Sequence, residues 1–469
     1  MGFVDTIISF LPEVRKPTEK YLPFKVKLKW TLIVLIAFFI LSVIPLYGLG
    51  QNALSQFESL SIILGASFGS VMSLGIGPIV TASIVLQLLV GSGILKLDQT
   101  TPDGRKFFQG LSKLFSIFFI LFEAAIYVFL GGLAPSPELL GTSAYLGFQF
   151  ILILQLILGG FLVMLMDEVT SKWGFGSGVS LFIAAGVASS IVTRVFSPLT
   201  SAGTIAFGSG QPPVGQLWVL FTSLTGGNPT GAVLALSGIL STVIIFVVSV
   251  YAQAMKIEIP LSFGRVRGHG IRWPLKFMYT SNIPVILVAA LLANVQLWAR
   301  LLQNWGHPWF GTFVGNTPAS GLVAWLFSPD ILSGVITGSF TPFNIVQAVI
   351  YLLFMVGGAI LFSYFWVQTS GMDARSQAKQ IMASGLQIPG FRRDERVLEQ
   401  ILNRYITPLT IMGAILVGVL AAGADLAGAL SRGTGILLAV MIIYKLYEDI
   451  AQQHMMDMHP AMRKMMGGE

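Results

Sequence analysis

The chain of 469 residues has no cysteine, only four histidines and few charged residues. The absence of cysteine excludes disulfide bonds, iron–sulfur clusters and thiol catalysis, and four scattered histidines argue against a histidine-rich metal site. Charged residues make up 10% of the chain, whereas a soluble protein averages about 25%. Hydrophobic residues make up 54% and the mean hydropathy is +0.79, so the composition predicts an integral membrane protein made of helices.

Catalytic motifs are also missing from the sequence. It has no Walker-A loop, no nucleophile–base constellation and no cluster with metal-ligand spacing. It lacks the alternating strands of a membrane β-barrel, and its first long apolar run, which starts near Trp30, is expected to be a membrane span rather than a cleaved signal. We therefore predict a protein that is not an enzyme and needs no cofactor.

Ten apolar segments approach the length of about 20 residues that a helix needs to cross a bilayer. The predicted fold is all-α, with spans at 28–47, 75–93, 112–132, 147–166, 177–195, 232–254, 280–298, 343–366, 405–423 and 434–451. Loops on one side carry 25 lysines and arginines and those on the other carry 3, so the positive-inside rule predicts that both termini are cytoplasmic. The predicted parts are a cytoplasmic amphipathic segment (1–27), a first five-helix half (28–195), an external loop (196–231), a second five-helix half (232–451) and a cytoplasmic tail (452–469).

An apolar segment that is too short to span the membrane precedes the second predicted helix. The apolar piece from Leu60 to Phe68 is too short to cross a bilayer, and Gly75-Ile76-Gly77-Pro78 then breaks the chain. Irregular backbone at membrane depth is tolerated only where protein or a water-filled cavity surrounds it. This stretch therefore predicts that the chain lines a cavity inside the membrane.

Spans two and five of the first half have Gly or Pro near their start, and so do spans seven and ten, which are the second and fifth spans of the second half. Five helices per half would make the second half inverted, as in transporters and channels with a central pathway. Small residues at these points have two interpretations: they permit close helix packing, or they create a narrow waist. In the second interpretation Ile76 and Val80, and likewise Val179 and Ile183, share a helix face and form an apolar constriction.

Glu123 lies in the middle of the third span, and Gln87 and Asn282 are polar residues in the second and seventh spans. Such residues usually face a bundle interior or cavity. They either hydrogen-bond adjacent helices or form a polar contact across an opening seam. Glu123 stands nearly alone, which argues against a proton-coupled pump.

The sixth and eighth loops are long and basic. Orientation bias accounts for part of this charge, and arginine-rich projections also suit a large anionic partner such as ribosomal RNA. The basic residues are Lys256, Arg265, Arg267, Arg272 and Lys276 in the sixth loop, and Arg375, Lys379, Arg392, Arg393, Arg396 and Arg404 in the eighth.

Four motifs resemble the SecY family, the large α-subunit of protein-conducting channels. They are LGIGPIVTASIVLQLLVGSG (Leu74 to Gly93), WGFGSGVSLFIAAGV (Trp173 to Val187), YTSNIPVIL (Tyr279 to Leu287) and GTGILL (Gly433 to Leu438). The resemblance covers essentially the full chain, and the basic loops look more like those of archaeal members. It implies two inverted five-helix halves that form an hourglass channel in the plasma membrane.

The resemblance also implies roles for particular residues. A plug lies at about 57–68, and a lateral gate opens between spans two and three on one side and seven and eight on the other. Its polar contact comprises Glu123, Asn282, Thr81 and Gln87. Val179 stands where isoleucine is frequent in the family. The implied pore ring is Ile76, Val80, Val179, Ile183, Ile286 and Leu438.

The function implied is the central pore of the Sec translocation channel, which passes unfolded secretory polypeptides and releases transmembrane segments sideways into the bilayer. Expected partners are a SecE-type (γ) subunit, a small β-type subunit, the ribosome on the cytoplasmic face, signal sequences and nascent chains. The alternative is an inverted-repeat secondary transporter of a small solute. A transporter requires a specific polar or ionic site, whereas this chain has few charges within its spans.

Overall fold

The computed structural model describes residues 11–19, 22–52, 66–95, 97, 101–200, 204–206, 211–263, 270–280, 283–315, 317–383, 386–387, 394–430 and 433–458. Helices predominate. Their bounds are α1 Phe24–Val43, α2 Gly77–Gly91, α3 Pro102–Phe129, α4 Ser143–Trp173, α5 Gly178–Phe196, α6 Gln216–Thr225, α7 Pro229–Ala254, α8 Ile283–Asn304, α9 Leu322–Trp325, α10 Ile331–Thr337, α11 Pro342–Thr369, α12 Ala374–Ala383, α13 Glu395–Leu426 and α14 Gly433–Met458. The strands are β1 Gln51–Asn52, β2 Leu133–Ala134, β3 Lys256–Phe263, β4 Gly270–Lys276, β5 Phe313–Val314, β6 Thr317–Pro318 and β7 Leu386–Gln387.

Each of the ten predicted spans corresponds to a helix. Eight helices among the described residues are long and apolar enough to cross a membrane; α2 and α14 supply the other two. With 15 residues, α2 is about 22 Å long at 1.5 Å per residue, which is short for a hydrocarbon core of about 30 Å. The short length follows from the glycine–proline break that delays its start.

Several helices run beyond the predicted spans. The clearest case is α13, which begins at Glu395, ten residues before the predicted start at 405. Its first turns carry Arg396, Glu399 and Arg404, and the hydropathy pattern assigned these to a loop. They can be helical because the helix projects out of the bilayer, where charged side chains remain in water.

The two halves meet along two different contacts. On one side α14 of the second half packs against α5 of the first half, and the Arg194 guanidinium donates to the carbonyl oxygen of Leu430 at 2.9 Å. On the other side α2 packs against α8 and α11. We call this second contact the seam, because it separates α2 and α3 of the first half from α8 and α11 of the second.

Irregular backbone lies inside the first half, as the glycine-rich break predicts. From Ala66 to Ile76 the chain forms turns, and its amides bond to the segment that follows α1: Val71 N donates to Ile44 O at 3.0 Å. This segment also packs closely on α4, where a Cβ added at Gly159 would lie 1.9 Å from the Val71 carbonyl oxygen. Of the predicted plug, 57–68, only residues 66–68 are described; the rest lies outside the described residues.

A small sheet outside the spans was not anticipated by the sequence. Strands β4, β3 and β7 form an antiparallel sheet in that order, with Lys256 opposite Lys276 and Ser262 opposite Gln387. One face of this sheet carries Ile259 and Leu275, which pack into an apolar cluster with residues of α12 and α13. The sheet therefore anchors the two long loops to each other and to α13.

Candidate functional site

The six residues predicted as the pore ring lie near the starts of four helices: α2, with Ile76 just before it, α5, α8 and α14. Five of them are buried in the main apolar core of the bundle, and Val179 is half-buried against it. That the six form one ring stays a prediction.

A cavity of about 360 Å³ opens on one side of this core. Its apolar lining includes Val80, Val179 and Ile286, which come from three different helices, while its polar lining includes Gln87, Ser83, Asp167, Lys445 and Asp449. Ile76, Ile183 and Leu438 are not among its lining residues and are at most 1% exposed. Three of the predicted ring residues therefore line this cavity, while the other three are buried in the apolar core.

Three polar side chains meet at the seam, and we call them the gate triad: Thr81 of α2, Glu123 of α3 and Asn294 of α8. The Asn294 amide donates to Thr81 Oγ1 at 2.9 Å. The Thr81 hydroxyl has one hydrogen, which it donates either to the Gly77 carbonyl at 2.8 Å or to Glu123 Oε1 at 3.3 Å. Only the bond from Asn294 crosses the seam, because the other two lie within the first half.

The gate triad is incompletely satisfied. Glu123 is 1% exposed and Asn294 is 7% exposed. Within the described part of the chain, Glu123 Oε2 and Asn294 Oδ1 have no hydrogen-bond partner, and the nearby Tyr127 hydroxyl has none either. A buried polar group without a partner is costly, so the gate triad weakens the closed contact between the halves.

Asn294 is a polar residue of the seam that the sequence reasoning missed. The sequence prediction selected Asn282, which lies outside the described residues. Asn294 stands in ALLANVQLW, an apolar stretch of the same span, so its position as an amide at membrane depth was the available signal. Gln87 is two turns along α2 from the triad; it is buried, it lines the cavity, and its Oε1 has no partner among the described residues.

Two apolar contacts also cross the seam. The rings of Phe122 in α3 and Trp298 in α8 lie 5.6 Å apart. At the far end of α2, a Cβ added at Gly91 would lie 2.5 Å from the ring of Phe365 in α11. The seam thus joins α2 and α3 to α8 and α11, which are the second, third, seventh and eighth spans.

The basic loops leave from the sheet outside the spans. Arg265, Arg267, Arg392 and Arg393 all lie outside the described residues. The strands that precede and flank them are paired, since Phe263 lies opposite Leu386. On the neighbouring strand Arg272 donates to Glu258 at 3.1 Å, and this hydrogen bond lowers the pKa of the Glu258 carboxyl. Both loops therefore start from one surface that has its own exposed ion pairs.

A cavity lined by side chains of both helical halves, beside a seam that contains a buried polar cluster, is typical of a membrane channel. The comparisons with known proteins agree with this class. The SecY family model matches residues 70–447, and the model for the plug domain of Sec61p matches residues 36–69. The chain belongs to the SecY family.

Relatives match along their whole length. The protein translocase subunit SecY of Pyrococcus furiosus is 43% identical, with 100% of each chain covered. That of Methanothermobacter thermautotrophicus is 45% identical over 99% of this chain and 98% of its own. The predicted resemblance is confirmed, and family membership identifies the chain as a channel subunit rather than an enzyme.

Solved structures agree on the fold. The structure of a protein conducting channel superposes with a TM-score of 0.81 at 39% identity, covering 97% of this chain and 98% of the other. Sec61 in the canine ribosome-channel complex gives a TM-score of 0.78 at 39% identity, with the same coverage. The predicted hourglass of ten helices in two inverted halves is confirmed, and the chain is a multi-pass membrane protein.

Proposed function

We propose that this chain is the central pore of a Sec translocation channel. It passes unfolded polypeptides between its two halves and releases transmembrane segments through the seam. The single observation that supports the proposal is a cavity whose apolar lining comes from α2, α5 and α8 of both halves, combined with one hydrogen bond, from Asn294 to Thr81, that crosses the seam. A solute transporter requires a different feature, a polar site at the centre of its pathway.

The proposed pore ring is Ile76, Val80, Val179, Ile183, Ile286 and Leu438. A ring of apolar side chains excludes water and ions because a narrow apolar constriction dewets. Such a seal needs no specific bond to the passing chain, so it can accommodate many different sequences. Residues 57–68 are proposed as the plug that covers the ring from outside, consistent with the plug-domain match over residues 36–69.

Opening of the seam is proposed to be driven by partition of the entering segment. One leucine at the centre of a membrane segment contributes about 0.5 kcal/mol to insertion, and one interhelical hydrogen bond in a membrane contributes about 0.6 kcal/mol on average. A signal sequence with a few additional apolar residues therefore offsets the loss of the Asn294 to Thr81 bond. The gate triad would set how hydrophobic a segment must be before it leaves sideways.

The orientation and partners are proposed from charge. The excess of lysine and arginine on one side supports cytoplasmic termini in a plasma membrane. The loops with Arg265, Arg267, Arg392 and Arg393 are proposed to contact the ribosome, as the solved canine complex suggests by likeness. A SecE-type subunit and a small β-type subunit are proposed to complete the channel. Because the sequence has no nucleotide-binding motif, the driving energy must come from a partner.

Cross-linking of a stalled nascent secretory chain tests the pore. Photoreactive probes are placed at Val179 and, as a matched control, at Val192, which lies on the same helix and is 58% exposed on its outer surface. The nascent chain should cross-link to the probe at Val179 and not to the probe at Val192. Equal labelling at both positions, or none at Val179, would refute the proposed path.

A further inference from the structure

Helix α5, which carries two of the proposed ring residues, has no cap from its own residues. Ser177 occupies the N-cap position, but its side chain makes no capping hydrogen bond. The first amide groups of a helix lack partners within the helix and need an acceptor. The acceptor at the start of α5 must therefore come from elsewhere in the chain.

Asp167 of α4 supplies this acceptor. Its Oδ1 accepts from the backbone amide of Val179 at 2.9 Å and from the Ser177 hydroxyl at 3.4 Å. The helix ends are in direct contact, since a Cβ added at Gly178 would lie 2.5 Å from the Asp167 Cα. A carboxylate at a helix N-terminus is also favoured by the helix dipole.

The connection between α4 and α5 restrains the helix start less directly. It contains Gly176 at a φ of +69°, in the left-handed region that glycine adopts at little cost. The Phe175 amide of this connection donates to the Thr31 hydroxyl at 3.0 Å. Phe175 comes before the turn at Gly176, so this hydrogen bond does not hold the residues that follow the turn. Downstream of that turn, the bonds to Asp167 hold the first residues of α5.

We propose that Asp167 is a positioning residue for the pore seal. By holding the amide of Val179, the carboxylate sets the direction in which the first turn of α5 presents Val179 and, one turn later, Ile183 to the centre of the channel. Asp167 and Val179 line the same cavity, so the carboxylate lies next to the seal that it supports. The proposal rests on the pore ring proposed above.

The neighbouring carboxylate provides a matched control. Glu168 is paired instead with Lys113 at 2.9 Å and with Lys172 at 2.8 Å. It has no hydrogen bond to α5 among the described residues. Glu168→Ala therefore removes a carboxylate from the same end of α4 without removing the cap.

The experiment measures ion conductance of the idle, reconstituted channel complex in planar bilayers. In Asp167→Ala the leak should rise about fivefold, since a lost N-cap typically shifts the local equilibrium by that factor. Asp167→Asn keeps the oxygen acceptor and should stay close to the unchanged channel. Adding Ser177→Asp to Asp167→Ala places a carboxylate at the N-cap itself and should reduce the leak again, which a general loss of packing would not allow.

Two outcomes would overturn the proposal: no leak in Asp167→Ala, or the same leak in Glu168→Ala. If Asp167→Ala does not fold, Asp167→Glu decides in its place, because the longer side chain keeps the charge but moves the acceptor, so a leak is expected and its absence refutes the proposal. Ile183→Gly is measured alongside. A tight channel with Ile183→Gly refutes the pore ring itself, whereas a leak there and none in Asp167→Ala refutes only the role of Asp167.

Discussion

Replacing Asn294 by leucine removes the one polar contact of the gate triad that crosses the seam. The structure has Asn294 donating to Thr81 at 2.9 Å while the other oxygen, Oδ1, has no partner among the described residues. After the substitution the Thr81 hydroxyl still donates to Gly77 or Glu123, so no new unpaired donor arises. The closed seam loses its bond, and the open seam no longer exposes an amide to lipid.

The expected change in the signal-sequence threshold follows from two free energies, that of the lost hydrogen bond and that of inserting one leucine. Loss of the bond weakens the closed state by about 0.6 kcal/mol, with a maximum of about 1.7 kcal/mol for such bonds in membranes. A shift of about 0.6 kcal/mol changes the ratio of open to closed channels about threefold. One leucine at the centre of a membrane segment contributes about 0.5 kcal/mol to insertion, so the signal sequence should require about one fewer leucine.

The assay is export of a reporter whose signal sequence carries a graded number of leucines. The leucine threshold should fall in the Asn294→Leu channel, and Thr81→Val should lower it similarly, with little further effect when both are combined. Thr410→Val is the matched control, because Thr410 bonds only within its own helix, to Ile406 at 2.8 Å. An unchanged threshold in Asn294→Leu, or an equal change in Thr410→Val, would refute the reasoning.

Three further changes test other parts of the molecule. Ile76→Gly should raise the conductance of the idle channel several-fold, measured in planar bilayers, because the apolar seal loses a side chain. Gly91→Leu should force α2 from the Phe365 ring and lower the thermal midpoint of the purified protein, since overpacking costs about 1–3 kcal/mol; an unchanged midpoint would contradict the close contact. The hydrogen bond from Lys172 lowers the pKa of the Glu13 carboxyl. The pair therefore stabilises the fold at a pH above the ordinary glutamate pKa of about 4.3. This stabilisation is lost as the pH falls from that value through the lowered pKa of Glu13. Lys172→Ala should reduce that acid sensitivity in pH-dependent thermal unfolding.

The helices of this protein could be predicted because each depends on a local property. A run of about 20 apolar residues is stable as a helix in lipid whatever surrounds it. The same holds for the break at Gly75 to Pro78, since glycine and proline act on the backbone where they stand. The bounds were less accurate at the aqueous ends, where α13 starts at Glu395 and hydropathy no longer distinguishes helix from loop.

The small sheet could not be predicted in the same way. Strand β3 alternates Ile257 and Ile259 with polar residues over a few positions, which is a weak signal beside long apolar helices. Its pairing with β7 joins Ser262 to Gln387, and nothing near either residue in the chain indicates the other. Strand pairing over such a distance depends on how the helices between them pack.

Composition and local pattern are enough to indicate a helical membrane protein, an interrupted second span, and the apolar residues that stand beside the glycines. Which polar groups meet depends on the folded bundle: the Asn294 amide bonds to Thr81 across a separation of 213 residues, and Asp167, which no sequence pattern indicates, caps α5. The physical reason is that a hydrogen bond requires two groups within about 3 Å, and for side chains on different helices that distance is set by the packing of the whole bundle.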